Sequence, residues 1–594
     1  MRFRWLWPAL IVLIVLGILA PVSPLYRPVP SDDPSVFLYT AQRLLEGDAP
    51  YRAAWDHKQP LAYWVYALAL LLTPHSLWGM WIIELAGLAA AGLLGFLLLR
   101  RVAPRPIAFL AVAAGLLTLS VILWTYSLEE LALPLQIFCL YAFARLQTET
   151  GARQQVLLGL SAGAAVGAAF FLKQSLIAAG LAVGIYLVLE MLLRRSWRDL
   201  IPLGGMALGF AIVALPLLAH LGLNGALADY RDAVFTFNLS YAGLGPVERV
   251  EAVLDALEFL SSVPGLFLAF ALWGGTAGLG VMQSGPWLAR LLCGRAFRPV
   301  TLSAGAGLAA LSLIAEAVGR EPGFGLVQWL ALAGGAVLLL TGLLAGNARL
   351  RSRLSGWLAG APVLPETDRD LSGQQKTQRA LLWLAALYFP ILLGLVTLSG
   401  RNYVYYFIPF VPFLMLALGL AGGLLWQSAG QGAPRRLAGM LLIGLGAALA
   451  YNPLLLILNG LAAPANPPLP EIAAYVQANT SLDETILAWG KETTYVYFLT
   501  NRRAPTRYFY QAAVTQENYN NALGVSDEIL RNLQAAPPRL FLLYTNSSEP
   551  PPAGVCPLPA GDEPNSVGRI FSFVCDHYRY ETTIDEFQVF TRTP

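Results

Sequence analysis

Hydrophobic and polar positions in this chain fall into long blocks rather than short alternations. Apolar stretches of roughly 18 to 24 residues recur from the N-terminus to about Leu458, and each is long enough to cross a bilayer core of about 30 Å. Windowed hydropathy predicts about thirteen spanning helices, near 5–25, 76–100, 107–124, 130–146, 155–172, 175–193, 199–221, 263–281, 301–318, 324–346, 379–398, 403–425 and 437–458. The first is too long and Trp-rich for a signal peptide and lacks a small-residue cleavage site, so it is expected to remain as a helix. From about Pro467 the pattern changes: apolar runs shorten while Asn, Thr, Asp, Glu and Pro rise. Here 472–479 and 517–533 read as helices, and 485–489, 539–544, 571–574 and 587–591 as strands. The expected fold is a polytopic α-helical membrane domain over 1–460 and a soluble α/β domain over 461–594. A first loop, 26–75, separates the first two spans.

Charge sets the expected orientation. With Arg2 and Arg4 in the cytoplasm, alternate junctions carry Arg groups such as Arg100/Arg101/Arg105, Arg194/Arg195/Arg198 and Arg349/Arg351/Arg353. The opposite short junctions hold single cations, Lys173, Arg320 and Arg401. An odd number of crossings then puts the C-terminal domain outside a plasma (inner) membrane. The segment 347–376, rich in Gly, Pro and charge, reads as a cytoplasmic loop. A composition of 56% hydrophobic and 13% charged residues argues against a soluble protein, and no basic tract suggests nucleic acid. Cys139 and Cys293 lie in or beside apolar segments. Cys556 and Cys575 fall in the outer domain, where a disulfide between them is expected. The sequons at Asn238, Asn479 and Asn546 carry little weight in a chain that reads as bacterial.

On this topology the conspicuous polar residues share one side. Asp32, Asp33, Asp56, His57 and Lys58 lie in the first loop, Glu129 and Glu130 at the turn into the fourth span, and Lys173–Gln174 between the fifth and sixth. Arg401, Tyr403, Tyr405 and Tyr406 open the twelfth. Each has a plain structural use: Asp33 before Pro34 suits a helix N-cap, Glu129 or Glu130 a helix dipole, and Lys173 a snorkelling cation. Ionisable groups near a membrane are costly, so their convergence on one face argues for a functional cavity. Their types suit sugar transfer from a polyprenyl phosphate. A carboxylate accepts the acceptor's proton, cations meet the departing phosphate, and aromatic rings and carboxylates surround an oxocarbenium-like sugar. The four histidines are too scattered for a zinc site, while Asp32 and Asp33 leave room for a divalent cation such as Mg²⁺ or Mn²⁺.

The stretch Asp33-x-x-x-Phe37-Leu38-Tyr39, Leu44-Leu45-Glu46-Gly47-x-x-Pro50-Tyr51, Trp55-Asp56-His57-Lys58-x-Pro60-Leu61 resembles the first outer loop of bacterial GT-C glycosyltransferases. These are relatives of the protein O-mannosyltransferases and of the lipid A aminoarabinose transferase. Similar pieces follow in order: Glu129-Glu130-x-Ala132-Leu133-Pro134, Phe171-Leu172-Lys173-Gln174, Tyr230-x-x-Ala233-Val234-Phe235 with Asn238 and Tyr241, and Gly400-Arg401-x-Tyr403-x-Tyr405-Tyr406-Phe407. Trp489-Gly490, Tyr495-x-Tyr497-Phe498-Leu499 and Arg507-Tyr508 continue it into the tail. The resemblance implies a helical bundle capped by a soluble domain, a polyprenyl-phosphate sugar donor and inversion at the anomeric carbon. It implies Asp33 as the catalytic carboxylate, with Asp32 beside it, and Lys58 at the donor phosphate. His57, Lys173, Arg401 and Tyr405 are expected near that phosphate. Glu129 or Glu130, Asp56, Gln174 and Tyr406 are expected to line the pocket. Many relatives carry His where Tyr405 stands; a phenol there can still donate to a phosphate. The acceptor, a lipid, a glycan or a protein hydroxyl, stays open. The rivals are a glycan ligase and a transporter or flippase, which would show polar or broken helices near the midplane.

Overall fold

The computed structural model describes residues 5–194, 197–243, 245–283, 372–428, 433–490, 493–545 and 566–593. The spans expected at 301–318 and 324–346, most of the loop 347–376, Cys293 and Cys556 lie outside the described residues. Every other expected span is helical. The first nine helices are α1 (Leu6–Leu19), α2 (Asp32–Leu45), α3 (Pro60–Leu72), α4 (Trp78–Leu99), α5 (Arg105–Ile122), α6 (Leu128–Leu146), α7 (Ala152–Leu172), α8 (Ala178–Arg194) and α9 (Ile201–Leu223). Among the described residues, helices at Pro264–Gln283, Gly373–Val396, Phe410–Ser428 and Ala433–Leu461 follow in the bundle.

Among the described residues, eight helices are long and apolar enough to cross a membrane, so the chain is a multi-pass membrane protein. A ninth candidate is bent: Pro246–Ser262 meets Pro264–Ala277 at 112°. Pro264 lacks an N–H and pushes Val263 into extended backbone (φ −101°, ψ 113°), which breaks the helix there. The expected count of thirteen is thus not reached within the described residues. Part of it falls outside them; within them, α1 is short and α6 carries Glu129 and Glu130 in its first turn.

Small residues set a close helix crossing between α7 and α9. A Cβ on Gly163 of α7 would lie 1.9 Å from the Met206 carbonyl oxygen, and one on Gly209 of α9 would lie 1.9 Å from that of Leu160. Backbones this close need glycine on both sides. Gly163→Leu is therefore expected to lower the melting temperature in detergent sharply, since overpacking costs about 1–3 kcal/mol even where neighbours can yield. Gly151→Ala, with nothing within 4 Å of its Cβ, should leave it unchanged.

The first loop is a folded unit. Residues Pro34 to Leu44 of α2 are all buried, wedged between the bundle and the C-terminal region. That region holds a four-stranded sheet, β1 (Ile486–Trp489), β2 (Leu540–Tyr544), β3 (Tyr578–Ile584) and β4 (Phe587–Arg592), in the order β1-β2-β4-β3. β1 and β2 are parallel, with Ile486 opposite Leu540; β4 runs antiparallel to both β2 and β3. Two expectations change here. The stretch 571–574 is helical, inside Ser566–His577, and 517–533 is two helices parted at Gly524, whose φ of +62° suits glycine. Cys575 is disulfide-bonded; the expected partner, Cys556, lies outside the described residues.

The segment from Thr494 to Tyr519 is stitched to the first loop. Trp55 N donates to the Arg507 carbonyl at 2.8 Å, and Ala504 N to Tyr39 OH at 3.0 Å. Trp55 Nε1 donates to Tyr519 OH at 3.1 Å. Ser35 bonds Thr494, and Arg503 pairs with Glu46. Two sequence-distant pieces thereby form one wall.

Candidate active site

Asp33 is the second residue of α2, not its N-cap. Ser31, with extended backbone (φ −71°, ψ 177°), holds that position. Pro34 then sits in the first turn, where a missing N–H costs nothing. The Asp33 carboxylate is left for other partners: Oδ2 accepts from Tyr405 OH at 3.2 Å and stands 3.9 Å from Lys58 Nζ. The Asp33 side chain is 36% exposed and that of Lys58 only 9%. A reachable anion thus sits above a deep cation.

The segment Trp55–Gln59 is held by hydroxyls and amides from distant elements. Tyr51 OH donates to the Lys58 carbonyl at 2.9 Å, Asn238 Nδ2 to the His57 carbonyl at 2.9 Å, and Tyr230 OH to Gln59 Oε1 at 2.8 Å. Asp56 accepts three bonds: His57 N at 2.7 Å, Tyr63 OH at 2.9 Å and Tyr510 OH at 2.6 Å. Burial still raises the Asp56 carboxyl pKa, against Lys58 and those phenols, which favour its charge. Lys58 Nζ lies 2.7 Å from His57 Nε2. An ammonium only donates, so Nε2 is the acceptor and the proton sits on Nδ1, which faces Asp56 Oδ1 and Tyr510 OH at 3.4 Å each. Burial, reinforced by Lys58 and Lys173, pushes His57 well below its usual range. Burial also opposes the Lys58 charge, but Asp33, then Tyr406 and Asp56, outweigh it and raise its pKa.

A depressed histidine has a stability consequence. Below an unfolded-state pKa of about 6.5 the unfolded chain takes up a proton that the folded one refuses, so stability falls as pH falls. The melting temperature in detergent is expected to drop between pH 7.5 and 5.5. In His57→Gln, which keeps an acceptor for Lys58, the drop should be smaller; an equal drop would remove His57 as its source.

The two adjacent glutamates part company. Glu129 Oε1 takes a 2.5 Å bond from Lys173 Nζ, which also lies 3.7 Å from the centre of the Tyr406 ring and 5.6 Å from that of Tyr405. Glu129 therefore belongs to the same group as Asp33 and Lys58. Glu130 turns away and caps α6 together with Ser127. Arg401 is exposed, its guanidinium 5.5 Å from the centre of the Tyr241 ring, at the rim rather than beside Asp33. Gln174 opens a 3-10 turn after Lys173, and the Asp32 carbonyl accepts from Ser35 Oγ at 2.6 Å.

Sequence reasoning missed Tyr510, Tyr63 and Glu84. Tyr510 lies 454 positions from the aspartate it touches, and nothing local marks it. Glu84 did carry a signal: a carboxylate six residues into an apolar span is costly unless it has a use.

Among the described residues no group of three or more His, Cys, Asp or Glu gathers as a metal site. The Asp33 carboxylate already faces the Lys58 ammonium at 3.9 Å, a poor setting for a resident Mg²⁺ or Mn²⁺. A cavity of about 630 Å³ in the C-terminal region is lined by Trp489, Gln511, Tyr544 and Phe571 among others. Among the described residues its lining includes no carboxylate or cation, and Asp33 is not part of it.

Residues 56–220 match the family described as dolichyl-phosphate-mannose-protein mannosyltransferase. The match spans Asp56–Lys58, Glu129 and Lys173 and begins after Asp33. No curated protein matches the chain in sequence. Among solved structures, ArnT from Cupriavidus metallidurans in the apo state is similar over 99% of this chain and 97% of that one, at 12% identity and a TM-score of 0.46. The same protein bound to undecaprenyl phosphate is similar over 100% and 99%, at 13% and 0.44. The archaeal oligosaccharyltransferase AglB from Archaeoglobus fulgidus, in complex with an inhibitory peptide and a dolichol-phosphate, is similar over 91% and 70%, at 15% and 0.45. The sequence match and the first-loop resemblance meet at Asp56–Lys58, where the matched region begins. That family match covers 165 of the 594 residues, all within the membrane region.

Proposed function

We propose that this protein transfers a sugar from a polyprenyl-phosphate donor to an acceptor hydroxyl on the extracytoplasmic face, with inversion at the anomeric carbon. The observation that carries the reading is the juxtaposition of a half-open carboxylate, Asp33, with a deep ammonium, Lys58, 3.9 Å away. The name of the family matched over 56–220 supports a lipid-phosphate donor. In one displacement the acceptor oxygen attacks the anomeric carbon and its proton passes to Asp33. The bond from that carbon to the phosphate oxygen breaks, and its electron pair leaves on the lipid phosphate. A single displacement inverts the centre.

Lys58 lies where it would neutralise the leaving phosphate, with Lys173 behind it and Arg401 at the rim; Tyr405 holds Asp33 and can turn its hydroxyl to the phosphate. Asp32 flanks the base, Glu129 holds Lys173, and Tyr406 and Gln174 border that cation. His57 and Asp56 orient Lys58. The division into a catalytic membrane domain, 1–460, and an extracytoplasmic cap, 461–594, belongs to the same reading, with Tyr510 as the cap's contribution. The acceptor is a lipid, glycan or protein hydroxyl. Purified protein incubated with a panel of radiolabelled polyprenyl-phosphate sugars and candidate acceptors tests it. At least one donor should give labelled product of inverted configuration by NMR; a retained configuration would refute the single displacement.

A further inference from the structure

Four consecutive backbone N–H groups between α5 and α6 are taken by two buried carboxylates. Glu130 Oε1 accepts from Trp124 N at 2.9 Å and Thr125 N at 3.1 Å, and its Oε2 from Ser127 N at 2.9 Å. Glu84 Oε1, from α4, accepts from Tyr126 N at 3.4 Å. Tyr66 OH bonds the Tyr126 carbonyl from a third side. This loop needs such hold. Thr125 and Tyr126 have φ of +70° and +63°, a left-handed conformation that is strained for non-glycine residues and persists only where the surroundings enforce it.

The Glu84 carboxyl has a further constraint. Its Oε2 is buried with no donor among the described residues, and the carboxyl adjoins that of Glu130, which takes the amides on either side of Tyr126 N. Two acceptors facing each other away from water are satisfied by one proton shared between them. A glutamine at position 84 would reproduce that arrangement, with its amide as the donor.

The loop reaches the chemistry through one ring. The Trp124 ring centre lies 5.5 Å from that of Tyr405, and Tyr405 OH donates to Asp33 Oδ2. We propose that Glu84, paired with Glu130, is a positioning residue that locks the Trp124–Ser127 loop so that Trp124 seats Tyr405 against Asp33. The role rests on the reading of Asp33 as the base, but the lock itself is independent of it.

Hydrogen exchange of the Trp124–Ser127 amides in detergent-purified full-length protein reads the lock without any substrate. Wild type and Glu84→Gln should be equally protected, and Glu84→Ala should exchange at least about tenfold faster in this segment alone. Unchanged protection in Glu84→Ala overturns the proposal. Should that variant not accumulate, Glu84→Asp, too short to reach Tyr126 N, should loosen the same amides; wild-type protection there also overturns it. In transfer assays Glu84→Ala should lose about 10- to 100-fold in kcat with little change in donor KM, as misplaced catalytic groups do. Adding Tyr405→Phe should then cost less than twofold more, because both act through one contact; fully additive losses would contradict the path. If wild type transfers no sugar, the catalytic reading fails while the exchange result still decides the lock.

Discussion

Asp33→Asn is expected to lower sugar transfer by about 10²–10⁴-fold, the usual cost of losing a general base, while yield and melting temperature stay near wild type. The fold tolerates the change because Asp33 is not the helix cap; Ser31 is, and an amide can still accept from Tyr405. The loss should fall on kcat, since the donor phosphate is met by other groups. Asp32→Asn should be milder, its neighbour being the residue within 3.9 Å of Lys58. Near-full activity in Asp33→Asn with loss in Asp32→Asn would mean that the roles are exchanged.

The second large effect is expected at Lys58. Removing one group that stabilises developing negative charge typically costs about 10²–10³-fold in kcat. Lys58→Met keeps the buried stem but leaves the leaving phosphate, Asp33 and Asp56 without their nearest cation. Donor use should therefore suffer more than acceptor use. Arg401→Ala should act in the same direction but only several-fold, because the exposed guanidinium is screened by water. Titration of a polyprenyl-phosphate sugar against each variant at saturating acceptor checks both. Equal donor affinity in wild type and Lys58→Met would take Lys58 away from the phosphate.

Much of the architecture was readable because an apolar run long enough to cross a bilayer has few alternatives to a helix. Each expected span within the described residues is helical for that reason. The sidedness of Asp33, Lys58, Glu129 and Lys173 came from the same block pattern, and the structure brings these four together. What failed was local. The window 571–574 looked strand-like alone, but Val567, Ile570, Phe571 and Val574 recur at helical spacing. Strand β3 was passed over because its sequence, YRYETTI, lacks an apolar alternation and buries only one position. Its tight turn, moreover, uses Asp585 and Glu586 at φ of +47° and +67° rather than the Asn-Gly or Asp-Gly that marks such hairpins. The opposite orientations of Glu129 and Glu130 follow from Ser127 claiming the latter for its capping box. Tyr510 could be found only by folding the chain, since it completes the site from the far end of the sequence.

The central claim, transfer from a lipid monophosphate, is tested most directly by the lipid product. Purified protein with an acceptor and one of three donor classes, a polyprenyl-phosphate sugar, a polyprenyl-diphosphate glycan or a nucleotide sugar, can be followed by mass spectrometry of the lipids released. The account predicts free polyprenyl monophosphate appearing one-for-one with transferred sugar, from the first donor class alone and abolished in Asp33→Asn. Turnover of the diphosphate-linked glycan with release of polyprenyl diphosphate, and none of the monophosphate sugars, would contradict it and make the protein a glycan ligase.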